Sequence, residues 1–282
     1  MSDITLDAIA AGLRRGDVAP YLGPGVLDLC VPPCSVPTTP EALVERLTAK
    51  ATVPFKIRRN LTAAAQYIEN FKHRKTLHRL MHEAFQAQAA PTALHRALAA
   101  LPRLPLIVDA WYDDAASRAL ADRPSWGQVQ GVSHADYRDD WVHYYAANGD
   151  AAAETAAASW DTLLYKPLGA VRPGGSTLVS DSDYVEVLTE IDIQTPIPQR
   201  VQELRKGRCF LFLGCHFRNQ LERSFARQIM KRSSDGPHWA FLQGELTKNE
   251  RRFLTEQQIT RLDLPLAELL RALSPAASIA TA

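Results

Sequence analysis

The stretch VAPYLGPGV, residues 18–26, joins a short apolar run to a glycine turn. Before it, residues 3–17 place apolar side chains at helical spacing and end at Gly16, which predicts a helix and then a strand. After it, Thr39 and Pro40 are typical of the N-cap and first turn of another helix. A strand, a glycine turn and a helix in this order indicate an α/β fold with a parallel sheet.

The same alternation continues along the chain. Apolar runs predict further strands at 104–108, 162–165, 177–179, 209–213, 238–243 and 259–264. Helical periodicity lies between them, at 60–88, after Thr92, and at 181–188, 201–206, 218–231 and 248–257. We therefore predict a doubly wound, mostly parallel sheet formed by residues 1–114 and 161–270.

Two segments do not follow this pattern. Residues 115–160 are rich in Ala, Asp, Trp and Tyr and have few apolar runs, so we expect a small inserted helical or variable lobe. Residues 271–282 are expected to form a loose tail.

Composition narrows the class of protein. Hydrophobic residues make up 46% of the chain, and 32 basic against 31 acidic side chains give a net charge of +1. This balance favours neither nucleic acid nor an anionic membrane surface as a partner. The N-terminus lacks the features of a secretory signal and no apolar run reaches membrane-spanning length, so a cytoplasmic protein is expected.

Metal binding is not predicted. The cysteines form two separate pairs, and neither has the two-residue spacing of zinc knuckles; they are Cys30, Cys34, Cys209 and Cys215. His78 and His82 are one helical turn apart, but their neighbours at 72–79 (KHRKTLHR) favour a solvated basic face.

Five short motifs occur in an order that resembles the bacterial sirtuin-like family. They are YLGPG at 21–25, VDAWYD at 108–113, YKPLG at 165–169, SDSDY at 180–184 and FLFLG at 210–214. They resemble the family's FLGAG, TTNYD, KxHG, DY and FLFLG elements, and the resemblance extends from about residue 10 to 265. It implies a Rossmann-like, sirtuin-like fold and NAD as the ligand. The positions it assigns to the cofactor are Gly23, Gly25, Asp113, Gly169 and Gly214. His216 is a further candidate because it lies just past the carboxyl end of the late strand, where open α/β sheets usually bind ligands.

The same comparison shows departures at ligand-facing positions. The family's asparagine corresponds to Trp111 and its histidine to Leu168, which cannot titrate. Pro24 replaces the alanine of the glycine turn, and Leu27 replaces a small hydroxyl residue. No catalytic residue and no tightly held cofactor are therefore expected, and an NAD-type ligand should bind weakly. His216 is the best substitute base, although a capping or loop role explains it as well.

These departures favour a non-catalytic binding protein with a regulatory, protective or assembly role. Aromatic residues of the predicted lobe are candidates for a docking patch or for core packing: Trp126, Trp141, Tyr144 and Tyr145. Diverged sirtuin-like reading frames occur beside nitrogen-fixation genes, so the resemblance makes a nitrogenase component or another labile metalloenzyme a partner to test. The alternative is an NAD-hydrolysing or NAD/ADP-ribose-sensing effector of the anti-phage defence type.

Overall fold

A nine-stranded sheet forms the centre of the chain in a computed structural model that describes residues 2–190 and 196–274. Its strands are β1 (Val18–Leu22), β2 (Leu106–Asp109), β3 (Trp126–Gly131), β4 (Val142–Ala146), β5 (Ala151–Ala152), β6 (Thr162–Lys166), β7 (Cys209–Leu213), β8 (His238–Phe241) and β9 (Ile259–Leu262). Their order is β5-β4-β3-β6-β2-β1-β7-β8-β9. The seven strands from β3 to β9 in this order are parallel, and β4 and β5 pair antiparallel at one edge.

Helices cover both faces of the sheet. The first face carries α1 (Ser2–Arg15), α5 (Ala93–Ala99), α6 (Ala115–Ala119) and α11 (Leu266–Leu273). The second carries α2 (Pro40–Lys50), α3 (Leu61–Lys72), α4 (Arg74–Ala84), α7 (Asp181–Glu190), α8 (Gln199–Arg205), α9 (Gln220–Met230) and α10 (Lys248–Glu256). This arrangement confirms the predicted doubly wound α/β class.

Successive side chains of the central strands point to opposite faces of the sheet and form the two cores. In β7, Phe210 and Phe212 pack into the core of the second face, while Leu211 and Leu213 pack into that of the first. A strand buried on both faces appears in sequence as a continuous apolar run, which is why β1 and β7 were predicted to the residue. Thr39 caps α2 by accepting the Ala42 N–H (3.0 Å), also as predicted.

Three details differ from the sequence prediction. Residues 177–179 form no strand, since only an isolated bridge joins Thr177 to Gly169. The predicted lobe at 115–160 is part of the sheet, because it contributes β3, β4 and β5. Helices α2, α3 and α4 are instead inserted between β1 and β2. Helix α11 extends to Leu273, so the predicted tail begins within a helix, and residues 275–282 lie outside the described residues.

Candidate functional site

A small cavity lies at the carboxyl ends of β1, β2, β6 and β7, beneath α3 and α9. Its volume is about 80 Å³. The chain runs outward from β1 through β2 to one side of the sheet and later returns to the other side at β7. Such a reversal of strand order is where open α/β sheets bind ligands, so this cavity is the candidate site.

The glycine turn at the cavity has no free amides for a phosphate. The Gly23 N–H donates to the Leu213 carbonyl (2.8 Å) and the Gly25 N–H to the Gly214 carbonyl (2.9 Å). The Val26 N–H turns back to the Gly23 carbonyl (3.2 Å), and Pro24 has no N–H. The donors that would form a phosphate cradle are therefore used within the chain.

The glycines are instead required by packing between the ends of β1 and β7. A Cβ on Gly23 would lie 2.6 Å from the Gly214 carbonyl oxygen. Gly214 has φ +64, and a Cβ there would lie 2.3 Å from the Val26 nitrogen. Close approach of two backbones accounts for Gly23 and Gly214 without a ligand.

Trp111 and Leu168 form part of the cavity wall. Trp111 is 4% exposed, and its Nε1 donates to the Pro37 carbonyl (2.8 Å). Its ring also packs against Tyr112, with ring centroids 5.0 Å apart. Leu168 is buried at the same cavity, so apolar side chains occupy both of these positions.

Pro24 and Leu27 lie in different surroundings. Pro24 lies at the cavity, whereas Leu27 is buried in the core and does not line it. His216 lies exposed at the rim.

Asp113 and Gly169 lie outside the cavity lining. Asp113 Oδ1 accepts the Ala115 N–H (2.8 Å) near the start of α6. Gly169 has φ +73, and a Cβ on it would lie 2.2 Å from the Ser176 carbonyl oxygen. Both residues shape the chain around the site, and their prediction as cofactor contacts remains untested.

A buried ion pair lies behind the cavity. Lys166 Nζ donates to Asp109 Oδ2 (2.6 Å) and to the Asp113 carbonyl (2.8 Å). Burial raises the pKa of Asp109, Lys166 lowers it, and the net value is about 6. Lys166 thus joins the ends of β2 and β6 from within the protein.

Glu222 is a site residue that the sequence reasoning missed. It lines the cavity from the first turn of α9, and its Oε2 accepts the Asn219 N–H (3.4 Å) in a capping box. Burial raises the pKa of Glu222 to about 7, and nearby Glu41 and Glu250 act in the same direction. The sequence signal was the spacing Asn219-x-x-Glu222 directly after a buried strand.

Comparison with known proteins identifies the family. A family model, the SIR2-like domain, matches residues 105–262, which is more than half of the chain. The chain is a member of the SIR2-like family. No curated protein matches it. The matched range includes the motifs at 108–113, 165–169, 180–184 and 210–214, and the glycine turn at 21–25 precedes it.

Three of the four predicted docking residues of this SIR2-like protein are buried. Trp126, Tyr144 and Tyr145 are less than one-tenth exposed, because they lie on the paired strands β3 and β4 and pack against the domain. Trp141 is partly exposed and stacks on His134, with ring centroids 3.9 Å apart. An exposed patch formed by all four rings is therefore incorrect, and the core-packing alternative describes three of them.

The basic segment at 72–79 is solvated as predicted at Lys72, His73, Lys75 and Arg79, whereas Arg74 and His78 are partly buried and paired. Arg74 forms ion pairs with Asp183 (2.9 Å), Glu69 (3.2 Å) and Asp136 (3.3 Å), and only 15% of its side chain is exposed. His78 Nε2 lies 3.0 Å from Asp136 Oδ2. Burial raises the pKa of Asp136, but hydrogen bonding to His78 and the charge of Arg74 outweigh it and bring the pKa to about 2. This cluster fixes α4 to α7 through the Asp183 of the SIR2-like DY motif.

Residues 2–190 and 196–274 contain neither a membrane-spanning helix nor a candidate metal site. No helix there is long and apolar enough to cross a membrane. No group of three or more His, Cys, Asp and Glu side chains in that part of the chain could hold a metal ion, and the four cysteines are free thiols.

Proposed function

We propose that this SIR2-like protein acts by binding a partner protein and does not turn over NAD. The proposal rests on the hydrogen bonds of the glycine turn. Its donors at Gly23, Gly25 and Val26 bond within the chain, and Pro24 supplies none. A dinucleotide phosphate would have to break these bonds, and each buried group left unpaired costs about 1–3 kcal/mol.

The size and chemistry of the cavity support the same proposal. Its volume of about 80 Å³ is far below the roughly 300–1,000 Å³ of ordinary small-molecule pockets. Leu168 stands at the position of the family's histidine and cannot accept a proton. Loss of a general base alone typically slows a reaction by about 10²–10⁴-fold.

Exposed apolar side chains on two neighbouring helices offer a surface for the partner. Phe71 on α3 is 65% exposed, and Val185 on α7 is 55% exposed. The two helices are joined where the Ser182 N–H donates to Gln66 Oε1 (2.7 Å). Exposed apolar side chains on two adjoining helices are candidates for a protein interface. A nitrogenase component or another labile metalloenzyme is the partner class to test first.

Two measurements test the proposal. Purified protein incubated with NAD should release no nicotinamide above the rate without enzyme. In extract from the native source, the tagged protein should retain one protein at a fixed stoichiometry, and the double variant Phe71→Ser/Val185→Ser should lose it. Phe55→Ser is the matched control, because Phe55 is 90% exposed but lies before α3.

The competing function is NAD hydrolysis, and one observation favours it. Glu222 faces the cavity with a pKa of about 7 and could take the place of the missing base. Nicotinamide release that disappears in Glu222→Gln would establish hydrolysis and reject the non-catalytic proposal.

A further inference from the structure

The cavity combines an aromatic wall with a carboxyl group that has no counter-ion among the described residues. Aromatic rings line it from four different parts of the fold, and they belong to Tyr21, Trp111, Tyr184, Phe217 and Phe225. Several are held in place by ring contacts: Tyr184 meets Phe225 edge-on at 5.4 Å, and Phe217 lies 4.8 Å from Phe253. These contacts fix the positions of the rings that line the cavity.

Glu222 is the acidic group of this cavity. Among the described residues no basic side chain lies within ion-pair distance of it, and Arg223 donates instead to the carbonyls of Phe217 and Arg218. The charged groups that act on Glu222 are Glu41 on α2, Glu250 on α10 and Arg223 on its own helix, and two of the three are negative. His216 lies exposed at the rim.

We infer that this cavity binds a small alkylated ammonium ion, with the charge held between the Glu222 carboxylate and the aromatic rings. Ring faces attract such cations, and an unpaired carboxylate supplies the balancing charge. A neutral apolar ligand would leave the carboxyl group unpaired, and an anion would meet Glu222, Glu41 and Glu250. This inference rests on one part of the proposed function, namely that NAD does not occupy the cavity. It does not depend on the partner protein.

The volume limits the ligand to a few non-hydrogen atoms. A cavity needs about 10–15 Å³ to admit one water, so about 80 Å³ admits roughly five to eight water-sized groups. Choline and tetramethylammonium are of this size, whereas a nucleotide is not. Choline has a neutral isostere, 3,3-dimethylbutan-1-ol, in which carbon replaces the charged nitrogen.

Calorimetry with this matched pair tests the inference on the full-length protein. Choline should bind on the order of tenfold more tightly than 3,3-dimethylbutan-1-ol at pH 8. Because the pKa of Glu222 is about 7, choline affinity should rise about tenfold from pH 6 to pH 8. The neutral alcohol should show no such dependence.

Variants separate charge from shape. Glu222→Gln keeps an acceptor for the Asn219 N–H and should abolish both the preference for choline and the pH dependence. Glu245→Gln is the control, because Glu245 is exposed and does not line the cavity. Trp111→Leu should weaken choline more than the alcohol.

Three results would overturn the inference: equal affinity for choline and its isostere, unchanged choline binding in Glu222→Gln, or no binding of either compound. Nicotinamide release in the separate NAD assay would instead count against the proposed function. The two failures are therefore distinguishable.

Discussion

Replacing Lys166 by Met should destabilise the protein strongly at neutral pH and weakly in acid. Lys166 and Asp109 are 1% and 4% exposed, so the variant leaves a buried carboxylate without its cation. Removing one partner of a buried pair costs about 3–5 kcal/mol. The pH dependence gives a lower figure, because burial already raises the pKa of Asp109 to about 6 in the wild type. If Asp109 stays protonated in the folded variant, each pH unit above about 6 costs the variant about 1.4 kcal/mol relative to the wild type, or about 2 kcal/mol at pH 7.5.

The sign follows from the direction of this pKa shift. A carboxyl group with a raised pKa in the folded state makes folding less favourable as pH rises above its unfolded pKa. Urea denaturation of wild type and Lys166→Met at pH 4.5 and 7.5 measures the difference. Adding Asp109→Asn should recover at least half of the loss at pH 7.5. A loss below about 1 kcal/mol at pH 7.5, or an equal loss at both pH values, would refute this account of the pair.

Three further outcomes are expected. The double variant Trp111→Asn/Leu168→His introduces the asparagine and histidine that the motif resemblance assigns to these positions. It should still release no detectable nicotinamide in a fluorescence assay, because the glycine-turn amides stay bonded within the chain. Release would show that those two positions alone block activity. Gly214→Ala should lower the unfolding free energy by more than the roughly 1 kcal/mol expected for Gly207→Ala. Both glycines have positive φ (+64 and +72), but only at Gly214 would a Cβ lie 2.3 Å from a backbone nitrogen. Equal urea midpoints for the two variants would contradict this clash. Glu222, with a pKa of about 7, should reduce wild-type stability by up to about 3 kcal/mol as pH rises from 4.5 to 7, and Glu222→Gln should remove that slope in thermal melts.

Local patterns were sufficient to predict the centre of the sheet. Strands β1 and β7 are buried on both faces, so their sequences are continuous apolar runs between charged or glycine residues. Thr39 and Thr92 mark the starts of α2 and α5 through side-chain caps that depend only on nearby residues.

Strand β3 could not be found in this way. Its sequence, WGQVQG, contains two glycines and two glutamines, yet Gln128 and Gln130 are buried. The Gln130 side chain donates to Gln128 on the same strand and to the Arg172 carbonyl, so its burial depends in part on a partner distant in sequence. Hydrophobic periodicity does not detect such an arrangement.

The candidate site was predicted in location but not in content. The motifs assigned the glycine turn, Trp111 and Leu168 to ligand-facing positions, and the structure brings them to one cavity. The glycine-turn hydrogen bonds and Glu222 depend on how β1, β7 and α9 pack, which a single sequence does not encode as a local pattern.

The position of β1 has a consequence for synthesis of the protein on the ribosome. This strand is made within the first 22 residues, but its neighbours in the sheet are β2 at 106–109 and β7 at 209–213. The nascent chain must therefore carry β1 without a neighbour until β2 has emerged, and with one side unpaired until β7 has emerged. Contacts so distant in sequence slow folding and lengthen exposure to aggregation, so premature termination before residue 213 should yield insoluble fragments.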